Sequence, residues 1–309
     1  MDSAVPASSI LFVAVPAAVL GAASFGLASV LQHRATKLVE TSRTLDPRLL
    51  VRLSRRPIWV LSIGAVIAGL ALQVVALAYG PIVLVQPLLV TGVLFGAVFS
   101  ALLAHRRVDR MIVLGSLACV AGLAAFLLLA RPSGGTGTIA GGAEVLPLAV
   151  ALGLVVLVAI VVAGRFEGGP RVLALATATG VLYGVTAGLI KVVTAQIRTG
   201  GILEPFQHPV LYVVCVVGPI GFLLSQNTFQ QGALVAPALA VITVVDPVVG
   251  VAVGVGWLGE QVAMTPPVLA GEAVAAAVAV AGIVVLAHRG TRLRHEIEQQ
   301  AYTPPSTWG

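Results

Sequence analysis

LVAPALAVITVVDPVVGVAVGVGW, residues 234–257, is the stretch whose reading decides the fold. It is long enough to cross a bilayer, which takes about 17–25 apolar residues. It carries one carboxylate, Asp246, near its middle, and prolines at 237 and 247. An acid at mid-membrane costs roughly 2.5–3.5 kcal/mol on insertion scales, so it is expected to face a bundle interior or a wet cavity. Pro247 removes a backbone donor, which predicts an interruption of the helix nearby. Transporters tend to bind their cargo at a polar, loosened spot at this depth. The alternative is a structural acid bonded to a neighbouring helix.

The rest of the chain shares this character. Of 309 residues, 58% are hydrophobic and 10% charged, with a mean hydropathy of +1.05. A soluble domain carries about 25% charged residues, so the composition is that of a polytopic membrane protein. The net charge of +6 does not point to nucleic acid. Two lysines and sixteen arginines cluster beside the apolar runs, as topology determinants do. Cys119 and Cys215 both lie inside apolar runs, which indicates neither a disulfide framework nor a zinc site.

Working outward, spans are expected at 10–31, 58–79, 82–104, 111–130, 146–163, 172–196, 209–229, 234–257 and 267–288, nine in all. Spans two and three are separated only by Gly80-Pro81, a tight hairpin. Residues 45–56 read as a basic amphipathic helix, capped by Asp46-Pro47, with Arg48, Arg52 and Arg55 opposite Leu45, Leu49 and Leu53. It is expected on the cytoplasmic leaflet or as a solvated loop helix. Residues 303–309 read as a disordered tail. With the N-terminus outside, fifteen basic residues fall on inner segments and only Arg131 and Arg198 on outer ones. That bias favours an odd number of spans, with the C-terminus cytoplasmic. Trp59, Tyr79 and Trp257 fall at span ends, where interfacial anchors are expected.

An internal repeat is visible. Phe25-Gly26 matches Tyr183-Gly184, which aligns His33 with Lys191; 85–87 matches 235–237; 121–123 matches 281–283. The offsets are 158, 150 and 160. The expected fold is an all-α membrane bundle, with a first four-helix repeat over 1–145 and a linking span and loop over 146–171. A second repeat covers 172–288 and a cytoplasmic tail 289–309. One linking helix inverts the second repeat relative to the first, a plan that supports alternating access.

The run from Trp59 to Leu129, with AYGPIVLVQPLLVTGVLFGAVFSALLAHRRV followed by LGSLACVAGL, resembles the drug/metabolite transporter superfamily. The nine spans, GVLYGVTAGLIKVV around Lys191 and SQNTFQQGALVAPALAV are similar to the NIPA-like magnesium transporters within it. The resemblance covers about residues 10–288. It implies a secondary transporter, with magnesium or another divalent cation as one cargo.

Three charged residues lie within the expected spans: Lys191, Asp246 and Glu272. If each faced lipid they would together cost roughly 8–10 kcal/mol. Lys191 and Glu272 are expected near the outer end, where either could instead snorkel, and Asp246 deeper, with the lysine free to lean towards Asp246 or Glu272. Gln86, Gln226 and Asn227 join them as candidates for binding substrate or coupling ion, unless these amides only tie helix to helix. Gly180, Gly184 and Gly188 leave one helix face nearly free of side chains. If the cargo is a cation, Asp246 and Glu272 are the candidate metal ligands, although a lysine nearby favours an organic or zwitterionic solute or proton coupling. There is no phosphate-binding loop in RPSGGTGTIAGG and no nucleophile elbow. No enzyme activity or cofactor is implied. The expected partners are a small-molecule or cation substrate and the lipid bilayer, with a homodimer left open. A non-transporting scaffold or lipid-handling protein is the reading from another class.

Overall fold

The computed structural model describes residues 10–36, 38, 48–103, 110–130, 142–230, 235–263 and 265–302. These residues are helical, with no strand among them. A single π-type turn, Ile10–Ala14, leads into α1 (Val15–Thr36). Then follow α2 (Arg48–Ser54), α3 (Pro57–Tyr79), α4 (Ile82–Val90), α5 (Gly92–Leu103) and α6 (Arg110–Ala130). The chain continues through α7 (Gly142–Arg165), α8 (Gly169–Gly200), α9 (Pro209–Phe229), α10 (Val235–Leu258) and α11 (Pro266–Tyr302). Pro at the first helical turn starts α3, α8 and α9, where its missing N–H costs nothing. Eight helical segments among the described residues are long and apolar enough to cross a membrane. The apolar run recognised in α6 is shorter, Leu117–Ala130. The chain is therefore a multi-pass, all-helical membrane bundle.

The expected break near Pro247 is absent: α10 runs unbroken from Val235 to Leu258. A proline inside a span is tolerated where neighbouring helices and local adjustment compensate its lost bond. The interruption falls in the third span instead, at Thr91, four residues after Pro87. There the Thr91 N–H and hydroxyl both turn back to Leu88 O. The short helix expected over 45–56 forms as Arg48–Ser54, but Leu49 and Leu53 are buried against Ala35 and Trp59, so its apolar face is covered by protein. Asp46, Pro47, the tail 303–309 and all but the last residue of the RPSGGTGTIAGG stretch lie outside the described residues. Of the aromatic residues at span ends, Trp59 and Trp257 are buried within the protein and Tyr79 is exposed.

The largest core cluster joins α1, α3, α4, α8 and α10 through Ala18, Leu77, Ile82, Val85, Ala187 and Val253. Ala17, Ala18, Ala76 and Ala187 stand in it among larger aliphatic side chains and Trp257, small residues of the kind that let helices approach closely in lipid. The glycine face of α8 is filled by α10. A Cβ at Gly180 would lie 2.8 Å from Val245 Cβ, and one at Gly184 2.6 Å from Asp246 O and 2.9 Å from Gly250 N. At Gly26 of α1 a Cβ would meet Gly92 O at 2.5 Å and Gly96 N at 2.8 Å on α5. Helices α6 and α11 cross through Gly122 and Gly282. A Cβ at Gly122 would lie 2.5 Å from Ala279 N and 2.6 Å from Ala275 O, and one at Gly282 2.5 Å from Gly115 O and 2.6 Å from Cys119 N.

Candidate functional site

Lys191 sits on α8, and its ammonium reaches the end of α3. Its Nζ donates to Leu77 O at 2.6 Å and Gly80 O at 2.5 Å. These are terminal carbonyls, unpaired within their own helix, at the end where a cation is favoured. Arg198, two turns further along α8, donates to Ala78 O at 2.5 Å and stacks over the Tyr79 ring. One residue beyond the turn the polarity reverses. The Glu260 carboxylate accepts the Ile82 N–H at 2.6 Å and the Val83 N–H at 2.8 Å, the first free donors of α4. The Gly80-Pro81 hairpin is thus held by a cation at the end of one helix and an anion at the start of the next.

The local sequence explains how Glu260 gets there. Gly259 has φ 63°, a left-handed conformation natural for glycine at the end of a helix. The chain then folds back so that Glu260 N–H bonds Gly254 O at 2.9 Å. Burial pushes the Glu260 carboxyl above its ordinary pKa, against the downward pull of the Val83 and Ile82 N–H groups and of Lys191.

A second polar cluster lies at the opposite end of α3. Trp59 Nε1 donates to Gln226 Oε1 at 3.2 Å, and Gln226 Nε2 donates to Gln32 Oε1 at 3.0 Å. Thr36 Oγ1 lies 3.1 Å from His33 O and 3.3 Å from Phe229 O. Trp59 and Leu77 stand about 27 Å apart along α3 at 1.5 Å per residue, close to the thickness of a bilayer core. The bonds of Gln226 to Trp59 and Gln32, and of Thr36 to Phe229, join residues 10–130 to residues 172–288. In the first cluster Thr194 Oγ1 donates to Lys191 O at 2.7 Å, the counterpart of Thr36 and His33.

Asp246 lies between the two clusters, midway along α10 and half-buried, with Oδ1 enclosed and without a hydrogen-bond partner. Tyr183 on α8 is within its electrostatic reach and bonds Ser225. Gln86 is 1% exposed, and neither its Oε1 nor its Nε2 has a partner. It packs against Gly250, one turn from Asp246: a Cβ on Gly250 would lie 2.6 Å from Gln86 Cγ and 3.0 Å from its Nε2.

The fold therefore brings Gln86 towards Asp246 and takes Lys191 elsewhere. Lys191 leans towards neither Asp246 nor Glu272, because the hairpin carbonyls hold it and its electrostatic partner is Glu260. Glu272 stands on α11, which packs on α6 and α10; its Oε1 is buried without a hydrogen-bond partner. Gln226 works in the second cluster, and Asn227 Nδ2 bonds Leu223 O of its own helix at 2.9 Å. Among the described residues no group of three His, Cys, Asp or Glu side chains could hold a metal ion. Glu260, Arg198, Gln32 and Thr36 escape the sequence reading. The one signal for Glu260 is a Gly-Glu pair directly after Trp257-Leu258.

No protein-family model matches the chain, and no solved structure matches it. It is 25% identical over 251 residues to a protein of Corynebacterium glutamicum described as uncharacterized, a likeness covering 80% of this chain and 85% of that one.

Proposed function

We propose that the chain is a secondary transporter of the drug/metabolite type, moving a small solute across the cell membrane by alternating access. The observation that carries this reading is the pair of polar latches at opposite ends of α3, with Asp246 between them. Each latch joins the first helical set to the second. A protein with a tie at both ends, and an unpaired acid between, opens to either side by releasing one tie and keeping the other.

The reading includes nine spans, with α6 as the fourth and an inverted repeat of four helices on each side of α7. Three relationships support the repeat. Gly26 meets Gly92, and Gly184 meets Gly250; both members of the second pair stand 158 residues after those of the first (184 − 26 and 250 − 92). Thr36–His33 and Thr194–Lys191 keep the same offset. Gly122 meets Ala275 and Ala279, while Gly282 meets Gly115 and Cys119, with every residue 160 from its counterpart. The arginine distribution supports an N-terminus outside and a cytoplasmic C-terminus, which puts the Lys191–Glu260 latch outside. Magnesium as cargo draws no support from the donor set, since Mg²⁺ wants carboxylates and waters in an octahedron and no group of three His, Cys, Asp or Glu side chains is gathered among the described residues.

The test is flux in proteoliposomes with metals and organic solutes, on protein carrying cysteine pairs at Ala78 and Arg198 or at Gln32 and Gln226. Crosslinking either pair should stop flux and reduction should restore it. Flux that survives both crosslinks would sink alternating access. A chain that moves no solute under any gradient would leave the scaffold reading.

A further inference from the structure

Within the transporter reading, and resting on it, the cargo's chemistry can be read from the groups left unpaired around Asp246. In a folded protein a buried polar atom without a partner calls for an explanation, because the group loses water and gains nothing. Three such atoms belong to this part of the bundle: Asp246 Oδ1, Gln86 Oε1 and Gln86 Nε2. Gln86 is 1% exposed and packs against Gly250, on the same face of α10 as Asp246 one turn away.

The charge comes first. Asp246 is one carboxylate, and Lys191 and Arg198 of α8 are committed elsewhere, to Leu77 and Gly80 and to Ala78. The site lacks one positive charge, so an anion is disfavoured. A divalent cation takes six or more oxygen ligands, and among the described residues no group of three His, Cys, Asp or Glu side chains is gathered to supply them.

The hydrogen-bond inventory comes next. Asp246 Oδ1 and one Gln86 atom accept; the other Gln86 atom donates twice. Exchanging the amide oxygen and nitrogen of Gln86 leaves this set unchanged. A ligand that satisfies it carries charged N–H donors for Asp246 and Gln86, and an uncharged oxygen to accept from Gln86. Along α10 the neighbours of Asp246 include Val245 and Val249, which pack in the apolar core, and the aromatic Tyr183 of α8 is within its electrostatic reach. We propose that Asp246 and Gln86 form the binding site for a protonated amine that bears a hydroxyl or carbonyl oxygen near the nitrogen and an apolar body.

The experiment is calorimetric titration of the purified full-length protein at fixed ionic strength. The probes are 2-amino-1-phenylethanol, 2-phenylethylamine, which lacks the hydroxyl, 3-phenylpropionate and magnesium chloride. The amino alcohol should bind, and the plain amine several-fold more weakly. Asp246→Asn should weaken the amino alcohol at least tenfold. Gln86→Leu should weaken the amino alcohol more than the plain amine, so that the two bind the variant equally within twofold. If Asp246→Asn does not fold, the Gln86→Leu contrast decides alone. Undiminished binding by Asp246→Asn, tighter binding of the carboxylate or of magnesium, or no binding of either amine to intact protein overturns the proposal. The last result would mean that only a proton or water occupies the site. Amine binding without flux would sink the transport reading and leave the site standing; flux with amine binding that ignores Asp246 would do the reverse.

Discussion

Gly122 and Gly282 close the same helix crossing from opposite sides. Each presents a bare Cα to the backbone of the other's helix, and a methyl group on either would come within 2.6 Å of two backbone atoms. Backbone cannot move aside as a side-chain tip can. Gly122→Ala and Gly282→Ala should each therefore destabilise the protein by about 1–3 kcal/mol, the usual range for overpacking. The double variant should lose less than the sum, since the first methyl already spreads the crossing. Thermal unfolding followed by loss of the monodisperse peak reads this directly. Two near-neutral single variants would show that α6 and α11 do not depend on this contact.

Glu260→Ala leaves the Ile82 and Val83 N–H groups without acceptors at the start of α4. Losing an acceptor for buried donors costs about 1–3 kcal/mol. A cysteine at Pro81 should then react faster with a membrane-impermeant maleimide than in the parent carrying the same cysteine. Equal reactivity would mean that the hairpin is held without Glu260.

Lys191→Met keeps the length of the side chain but removes the donor to Leu77 O and Gly80 O, together with the positive charge that acts on Glu260. It should free the hairpin as Glu260→Ala does. The Lys191→Met/Glu260→Ala double variant should be little worse than either single one, since both act on one latch. Additive losses in unfolding temperature would make them two separate devices.

The latch should also respond to pH. With the hairpin closed, burial holds the Glu260 pKa above its ordinary value; opened to water, it would return towards that value. The closed form therefore binds the proton more tightly. Its advantage is fully present below the ordinary carboxyl pKa and is lost as pH rises through the raised one. Maleimide labelling of the hairpin cysteine, corrected for thiolate fraction, should rise with pH in the parent and flatten in Glu260→Gln. The same slope in both would assign the dependence to another group, Lys191 first.

Asp246→Asn retains the shape of the side chain and removes the charge between the two latches. Driven flux should fall to background while expression and unfolding temperature stay near those of the parent. Transport at the parental rate would leave Asp246 a structural acid.

The spans were legible because a bilayer imposes a length, and runs such as Pro209–Phe229 declare it without help from tertiary structure. Lys191 was legible as a charge out of place in an apolar run. Its partners were not, because they are main-chain carbonyls of another helix, invisible in the identities of Leu77 and Gly80. Glu260 was missed for the complementary reason: it follows the span in a loop, where a charge is ordinary, and only the left-handed turn at Gly259 sends it back into the bundle. Pro247 misled because proline predicts a lost bond, not a lost helix. The break appeared at Thr91, whose hydroxyl turns back to Leu88 O. Gln86 could be noticed beside Pro87, but its nearness to Asp246 depends on Gly250 giving it room.

Helix α7 shows most of its length to the outside. Leu146, Val150, Leu154, Leu157, Val158 and Val161 are all exposed, and its packing on the bundle runs along one edge through Leu148, Leu152, Val156, Ala159 and Ala163. At 24 residues it is about 36 Å long, against a hydrocarbon core of roughly 30 Å. A helix longer than its bilayer tilts, and neighbouring helices normally set the angle. Here lipid supplies most of the neighbours, so acyl-chain length will govern the inclination of α7. Sensitivity to membrane thickness is thereby concentrated in α7, the helix that the bundle holds along a single edge.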